Sequence, residues 1–244
     1  MFDRCIVINL DRRPERLRAF YGRVPSDWPF APIRRVPAFD GESSPPPQWY
    51  GWEHVHRLGG AWGCFQSHLG VWKQALADGI DSVLIMEDDC VFCDDFSRRA
   101  VEFVDHAPSD DWDQIYFGGQ HLATDGMPPT RVNDFCCLGR NVNRTHAYAI
   151  RYCMMEAAVE RFDREWPKQH PYRHYHFDYQ LGEMHKNGWR AYCPIQGVSG
   201  LKRTHWLCGQ AAGLSDVNPD GKFLSTLWWN EFPIVEPKRE AAAC

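Results

Sequence analysis

The sequence predicts an α/β protein with a mostly parallel central sheet and helices on both faces. Three observations carry this. Short apolar runs of strand length alternate with longer amphipathic segments of helical period. Polar motifs sit at the carboxyl ends of those runs, where open α/β sheets bind ligands. The 244 residues are 44% hydrophobic and 24% charged, which excludes a disordered chain and suffices for a core without disulfide or metal staples.

The elements follow in order. Arg4 to Leu10 is an apolar strand closed by Asn9 and Asp11. Pro14 in a first helical turn, then Glu15, Leu17 and Phe20, starts a helix. Ile33 to Ala38 forms a second strand, closed by Phe39-Asp40-Gly41. Cys64, Phe65, His68, Leu69, Trp72, Ala75 and Leu76 share one helical face, and Gly79 ends that helix. Val83 to Met86 is a buried strand with Glu87-Asp88-Asp89 at its end. A helix near 96–104 precedes a strand Gln114 to Phe117, which ends in Gly118-Gly119. Then come a strand near 147–150, helices near 152–162 and 178–186, and a strand 189–193. Residues 1–232 read as one domain and 233–244 as a loose tail with an Ala run.

Charge narrows the function. Net charge is −5, yet residues 81–113 hold eleven acids and two bases, leaving 25 bases and 21 acids elsewhere. An acidic knot in a mildly basic body suits a cation facing an anionic ligand, not a general nucleic-acid binder. No apolar run approaches the roughly 20 residues of a membrane span. The first ten residues are too short and too acidic for a signal peptide. The cytoplasm, or its membrane face, is the expected location. The ten cysteines are then expected as reduced thiols.

The acidic triplet is the strongest chemical signal. In isolation it reads as a solvated turn. Directly after Val83-Leu84-Ile85-Met86, three mutually repelling carboxylates point to a cation. On extended backbone Glu87 and Asp89 face one way and can hold Mg²⁺ or Mn²⁺, while Asp88 faces the other wall or a ribose hydroxyl. Asn9-Leu10-Asp11-Arg12-Arg13-Pro14-Glu15-Arg16 offers polar groups for a nucleotide and arginines for phosphate. No G-x-G-x-x-G or P-loop pattern is present.

Six blocks in order resemble glycosyltransferase family 25: Val7-Ile8-Asn9-Leu10-Asp11-Arg12 with Arg16; Val36-Pro37-Ala38-Phe39-Asp40-Gly41; Gly63-Cys64-Phe65-Gln66-Ser67-His68 with Trp72; Leu84-Ile85-Met86-Glu87-Asp88-Asp89; Trp112-Asp113 with Phe117-Gly118-Gly119; and Thr145-His146-Ala147-Tyr148. Asp178 with Leu181 resembles the family's late acidic position. The resemblance covers about residues 5–195. It implies a GT-A (Rossmann-like) fold, a UDP-sugar donor, a divalent metal and inversion at the sugar carbon. The expected donor-binding residues within the resembling segment are Asn9, Leu10, Arg12, Arg16, Asp40, His68 and Asp88, and the expected metal ligands are Glu87 and Asp89. Beyond that segment, Lys202 is a candidate for holding the diphosphate, and His205 is the candidate for the late histidine with which GT-A enzymes often complete the metal site. Inversion needs a carboxylate base, for which Asp178 is the candidate; a helix N-cap is the competing role. His68 reads equally as a donor contact or a satisfied core group. Trp49, Trp52 and Trp62 flank the expected acceptor side.

A bacterial surface saccharide is the expected acceptor. A hydroxymethylated base in phage or viral DNA and an inactive nucleotide-sugar-binding module are the alternatives. A zinc protein built on Cys90-x-x-Cys93 with His170, His174 and His176 lacks the second cysteine pair such sites use.

Overall fold

The computed structural model describes residues 1–47, 50, 58–122, 127–165, 177–195, 206–211 and 234–237, with Leu58, Arg164 and Glu165 as backbone only. Strands β1 (Arg4–Asn9), β2 (Ile33–Pro37), β3 (Ser82–Glu87), β5 (Gln114–His121), β6 (Thr130–Arg131), β7 (Cys136–Gly139), β8 (Val142–Arg151) and β9 (Ala191–Pro194) form one sheet in the order β2-β1-β3-β8-β5-β9-β7-β6. β4 (Cys90–Phe92) and β10 (Cys208–Gln210) form a separate antiparallel pair. The helices are α1 (Pro14–Arg23), α2 (Leu58–Ala77), α3 (Phe96–His106), α4 (Tyr152–Glu160), extended by one π turn, and α5 (Phe177–Lys186).

The expected α/β layering is present. Six of the eight strands point the same way: β1, β2, β3, β5, β6 and β9 run one way, and β7 and β8 run the other. The reversed strands sit inside the sheet, so four of its seven pairings are antiparallel. β8 is the turning point. It pairs antiparallel with β3 on one side and β5 on the other, and no run of apolar letters encodes that direction.

Alternation along the strands builds two cores. Ile6, Ile8, Val83, Ile85, Tyr148 and Ile150 face α2, α4 and α5. Cys5, Val7, Leu84, Met86, Ala147 and Ala149 face α1 and α3. Each fully buried large side chain contributes roughly 1.5–3 kcal/mol of transfer free energy, and Trp72, Phe20, Phe65 and Tyr148 are all buried. Trp62, expected at the acceptor side, packs in the first core against Tyr50 and Phe65. Trp49 and Trp52 lie outside the described residues.

Other expectations change. β5 runs through Gly118-Gly119 to His121, so the glycine pair lies inside the strand, where the register shifts against β8. A Cβ on Gly118 would collide with His146 and come 2.6 Å from the Cys208 carbonyl; the glycine lets β10 cross the sheet closely. The tail is not loose throughout. Ile234 is buried and Val235 bridges Thr130, with backbone bonds to Arg131 and Pro129. No described cysteine is in a disulfide, and no described helix is long and apolar enough to cross a membrane.

Two core histidines set a pH dependence. Burial pushes His146 down to about 4 and His185 down to about 3. Each folded value lies below the ordinary histidine value near 6.5, so each takes up a proton on unfolding in the window between. Stability from these groups is full above about pH 6.5 and falls as pH drops, by up to about 1.4 kcal/mol per pH unit for each. Urea unfolding at pH 7, 6 and 5 should show this decline. His185→Gln should flatten the slope by about one proton's worth, because Gln cannot protonate; an unchanged slope would refute the assignment.

Candidate active site

The site is an open cleft at the carboxyl ends of β1, β2 and β3. Asn9 closes β1, Asp40-Gly41 follows β2, and Glu87 closes β3. The glycines of the α2 amino end pack on the loop after β2: a Cβ on Gly63 would come 2.7 Å from the Phe39 carbonyl. This close approach brings Cys64, Ser67 and His68 of α2 into the cleft wall. Nine sequence-expected residues line this one cleft: Asn9, Leu10, Arg12, Arg16, Asp40, His68, Glu87, Asp88 and Asp89. Lys202 and His205 lie outside the described residues.

The three adjacent carboxylates have different environments. Asp88 is buried and turned toward the protein. It pairs with the buried Arg16 guanidinium and accepts from Asn9 Nδ2 at 2.7 Å. Arg23 adds a bond to the Asp88 carbonyl at 2.8 Å. Asp88 was expected to face the other wall or a ribose hydroxyl; its carboxylate is engaged by Asn9 and Arg16. The three form one internal clamp between the first loop and the acidic turn. Arg12, by contrast, reaches Asp40 at 3.0 Å across the cleft rim.

Glu87 is held as a carboxylate. Burial opposes its charge, but the hydrogen bond and charge of His68, and then the Thr145 hydroxyl, outweigh burial and hold its pKa low. Thr145 Oγ1 donates to Glu87 Oε1 at 2.6 Å, and His68 Nε2 lies 3.4 Å from the same oxygen. His68 Nδ1 contacts Tyr148 Oη at 2.8 Å, and Trp72 Nε1 donates to that hydroxyl at 3.2 Å. His68 is therefore both buried and committed: it joins the core network to the acidic turn.

Asp89 is the opposite case. Burial first, and then the charge of Glu87, push its pKa well above the usual carboxylate range. Gln210 Nε2 donates to Asp89 Oδ2 at 3.3 Å, and Oδ1 is buried with no hydrogen-bond partner among the described residues. A buried acceptor without a partner costs about 1–3 kcal/mol. A divalent cation between Glu87 and Asp89 would satisfy that oxygen and relieve the repulsion, so the donor set fits a hard cation.

Asp178 lies in the first turn of α5. Its Oδ2 accepts from the Arg144 backbone N–H at 3.3 Å and its Oδ1 from the Tyr179 N–H at 2.9 Å. Burial raises the Cys64 thiol, and the charges of Glu87, Asp178 and Asp89 raise it further. Arg144 is their counter-charge. Burial lowers its pKa, and Asp178, Glu87 and Asp89 oppose that in this order. Its φ of +84° is rare for a side-chain-bearing residue, and it holds the backbone N–H on Asp178 while Nη1 reaches Gln210 at 3.4 Å.

Arg144, Thr145 and Gln210 are site residues that the sequence did not assign. Thr145 stands in a resemblance block, but nothing in its spacing pairs it with Glu87. Gln210 arrives only because β10 pairs with β4, directly after the acidic turn.

The sequence profile of glycosyltransferase family 25 (LPS biosynthesis protein) matches residues 2–124. This chain belongs to glycosyltransferase family 25. A glycosyltransferase 25 family member of Aedes aegypti is 32% identical over 132 residues, 49% of this chain and 21% of the relative. Procollagen galactosyltransferase 2 of Mus musculus is 30% identical over 140 residues, 50% of this chain and 21% of the relative. A Mus musculus relative named inactive glycosyltransferase 25 family member 3 is 34% identical over 74 residues, 27% of this chain and 12% of the relative. The match thus spans about a fifth or less of these relatives.

Removing Arg16 should be costly. Arg16→Ala leaves the Asp88 carboxylate buried and uncompensated, a change worth about 3–5 kcal/mol. Arg12→Ala, at a half-exposed rim pair, should cost under about 1 kcal/mol. Urea unfolding of both variants checks the contrast; equal losses would refute the clamp.

Proposed function

We propose that this chain is a metal-dependent, inverting hexosyltransferase that moves galactose or glucose from a UDP-sugar to the hydroxyl of a saccharide. The observation that carries the reading is Asp89: a buried carboxylate oxygen without a hydrogen-bond partner, beside the ionised Glu87, in the cleft at the strand ends. The name of the mouse galactosyltransferase favours galactose, and the family description favours a saccharide acceptor.

The roles follow from the surroundings. Glu87 and Asp89 would hold Mn²⁺ or Mg²⁺, with His205 as a further ligand. Bound there, the ion would offset charge that develops on the leaving diphosphate. Arg12 and Asp40 at the rim, with Leu10 and His68 deeper, form the wall for the nucleotide end of the donor. Lys202 would add positive charge toward the diphosphate. Asn9, Arg16 and Asp88 act through their clamp, which fixes the turn bearing Glu87 and Asp89. Asp178 would take the proton of the acceptor hydroxyl as that oxygen attacks the sugar carbon from the face opposite the leaving group. Two backbone N–H groups orient its carboxylate, and Arg144 stabilises its charge.

A thermal-shift series with UDP-galactose, UDP-glucose and other nucleotide sugars, with and without Mn²⁺, tests the donor. A ligand at 100 times its Kd adds about 2.7 kcal/mol, roughly 5–10 °C in Tm at this size. One UDP-hexose should give that shift with Mn²⁺ only, and Asp89→Asn should abolish it while leaving the unliganded Tm at or above its original value. No shift with any nucleotide sugar would favour the inactive-module reading. Asp178→Asn should cut kcat about 10²–10⁴-fold while keeping the donor shift. A lowered Tm with kcat intact would make Asp178 a structural helix-start residue instead.

A further inference from the structure

We propose that Cys64, His68 and Glu87 form a Zn²⁺ site inside the cleft, with a ligand chemistry distinct from that of the Glu87–Asp89 oxygen pair. Cys64 and His68 stand four residues apart on α2, so their side chains share one helical face. Glu87 meets them from the end of β3. One ligand atom from each lies within 4.8 Å of the others. Cys64 Sγ is 3.9 Å from Glu87 Oε1, and His68 Nε2 is 3.4 Å from that same oxygen.

Those separations are close to what zinc requires. With Zn–S of about 2.3 Å and Zn–N and Zn–O of about 2.0 Å, tetrahedral geometry sets S···O near about 3.6 Å and N···O near about 3.3 Å. The two separations to Glu87 Oε1 are within a few tenths of an ångström of these values, and the fourth position is left for water or an incoming ligand. All three residues line the cleft, so an ion can enter.

The supporting contacts are those a zinc site uses. With His68 Nε2 as ligand, Nδ1 carries the ring hydrogen and donates to the Tyr148 oxygen, which keeps a lone pair for Trp72 Nε1. Thr145 holds Glu87 in place. On binding, the Sγ–H bond breaks, the Zn–S bond forms and the proton leaves to solvent. Thiolate and imidazole together select Zn²⁺ over Mg²⁺ and Mn²⁺. Where the transferase reading holds, Zn²⁺ occupancy takes Glu87 from the oxygen-ligand cation and inhibits turnover.

The test uses the whole chain stripped of metal and titrated with Co²⁺ as the spectroscopic probe. One Co²⁺ per chain should produce a thiolate-to-cobalt charge-transfer band that Zn²⁺ displaces. Cys64→Ser should abolish the band, and His68→Ala should weaken Co²⁺ binding roughly tenfold or more. X-ray absorption of the Zn²⁺-loaded unmutated chain should show one sulfur with nitrogen and oxygen neighbours, and this needs no variant to fold. A band that survives Cys64→Ser, or a zinc shell with no sulfur or with several, overturns the proposal. Neither readout involves a sugar donor. A chain that binds Zn²⁺ in this way but no nucleotide sugar would refute the transferase reading and leave the zinc site standing.

Discussion

The ion pair between Arg16 and Asp88 fixes the geometry on which the cleft depends. Both side chains are buried, so neither charge can stay without the other. Asn9 joins the pair from the end of β1, and Arg23 holds the carbonyls of Asp88 and Cys90. α1 is thereby stitched to the turn after β3 at three points. The turn cannot rotate without unpairing a buried charge. That constraint keeps the turn with Glu87, Asp88 and Asp89 in the cleft wall, with the Asp88 carboxylate engaged by Arg16 and Asn9.

Three adjacent carboxylates are tolerated because each has its own answer to repulsion. Asp88 has an arginine. Glu87 has a hydroxyl and an imidazole. Asp89 has burial, which favours its neutral form. Arg144 supplies the remaining positive charge from β8, at a backbone conformation that costs about 1–3 kcal/mol. Strain of that size persists where packing over-determines it, and here the Arg144 N–H lies on the Asp178 carboxylate.

Much of this was legible in the residues, for identifiable reasons. β1, β3 and α2 were readable because strand alternation and helical period are local properties. The cleft was readable because polar letters follow each apolar run. The pairing of β10 with β4 was not, because three-residue strands carry no period and their partner lies more than a hundred residues away. Gln210 was hidden with it. The inward turn of Asp88 was hidden for another reason: spacing says that neighbouring side chains alternate, but not which side an arginine will occupy. Gly118 reads from the sequence as the end of its strand, and only the crossing of β10 explains it as packing.

Glu87 is where two kinds of coordination meet. Toward Asp89 it presents an all-oxygen pair, suited to an ion that keeps several waters and binds diphosphate. Toward α2 the same carboxylate faces sulfur and nitrogen, suited to an ion that sheds water and prefers four ligands. One oxygen, Oε1, already accepts from Thr145 and lies nearest His68 and Cys64. Two dications a few ångströms apart on one carboxylate would repel each other, so the two ions compete for Glu87. The position of Thr145 therefore matters beyond one hydrogen bond: it holds Oε1 on the α2 side, toward His68 and Cys64.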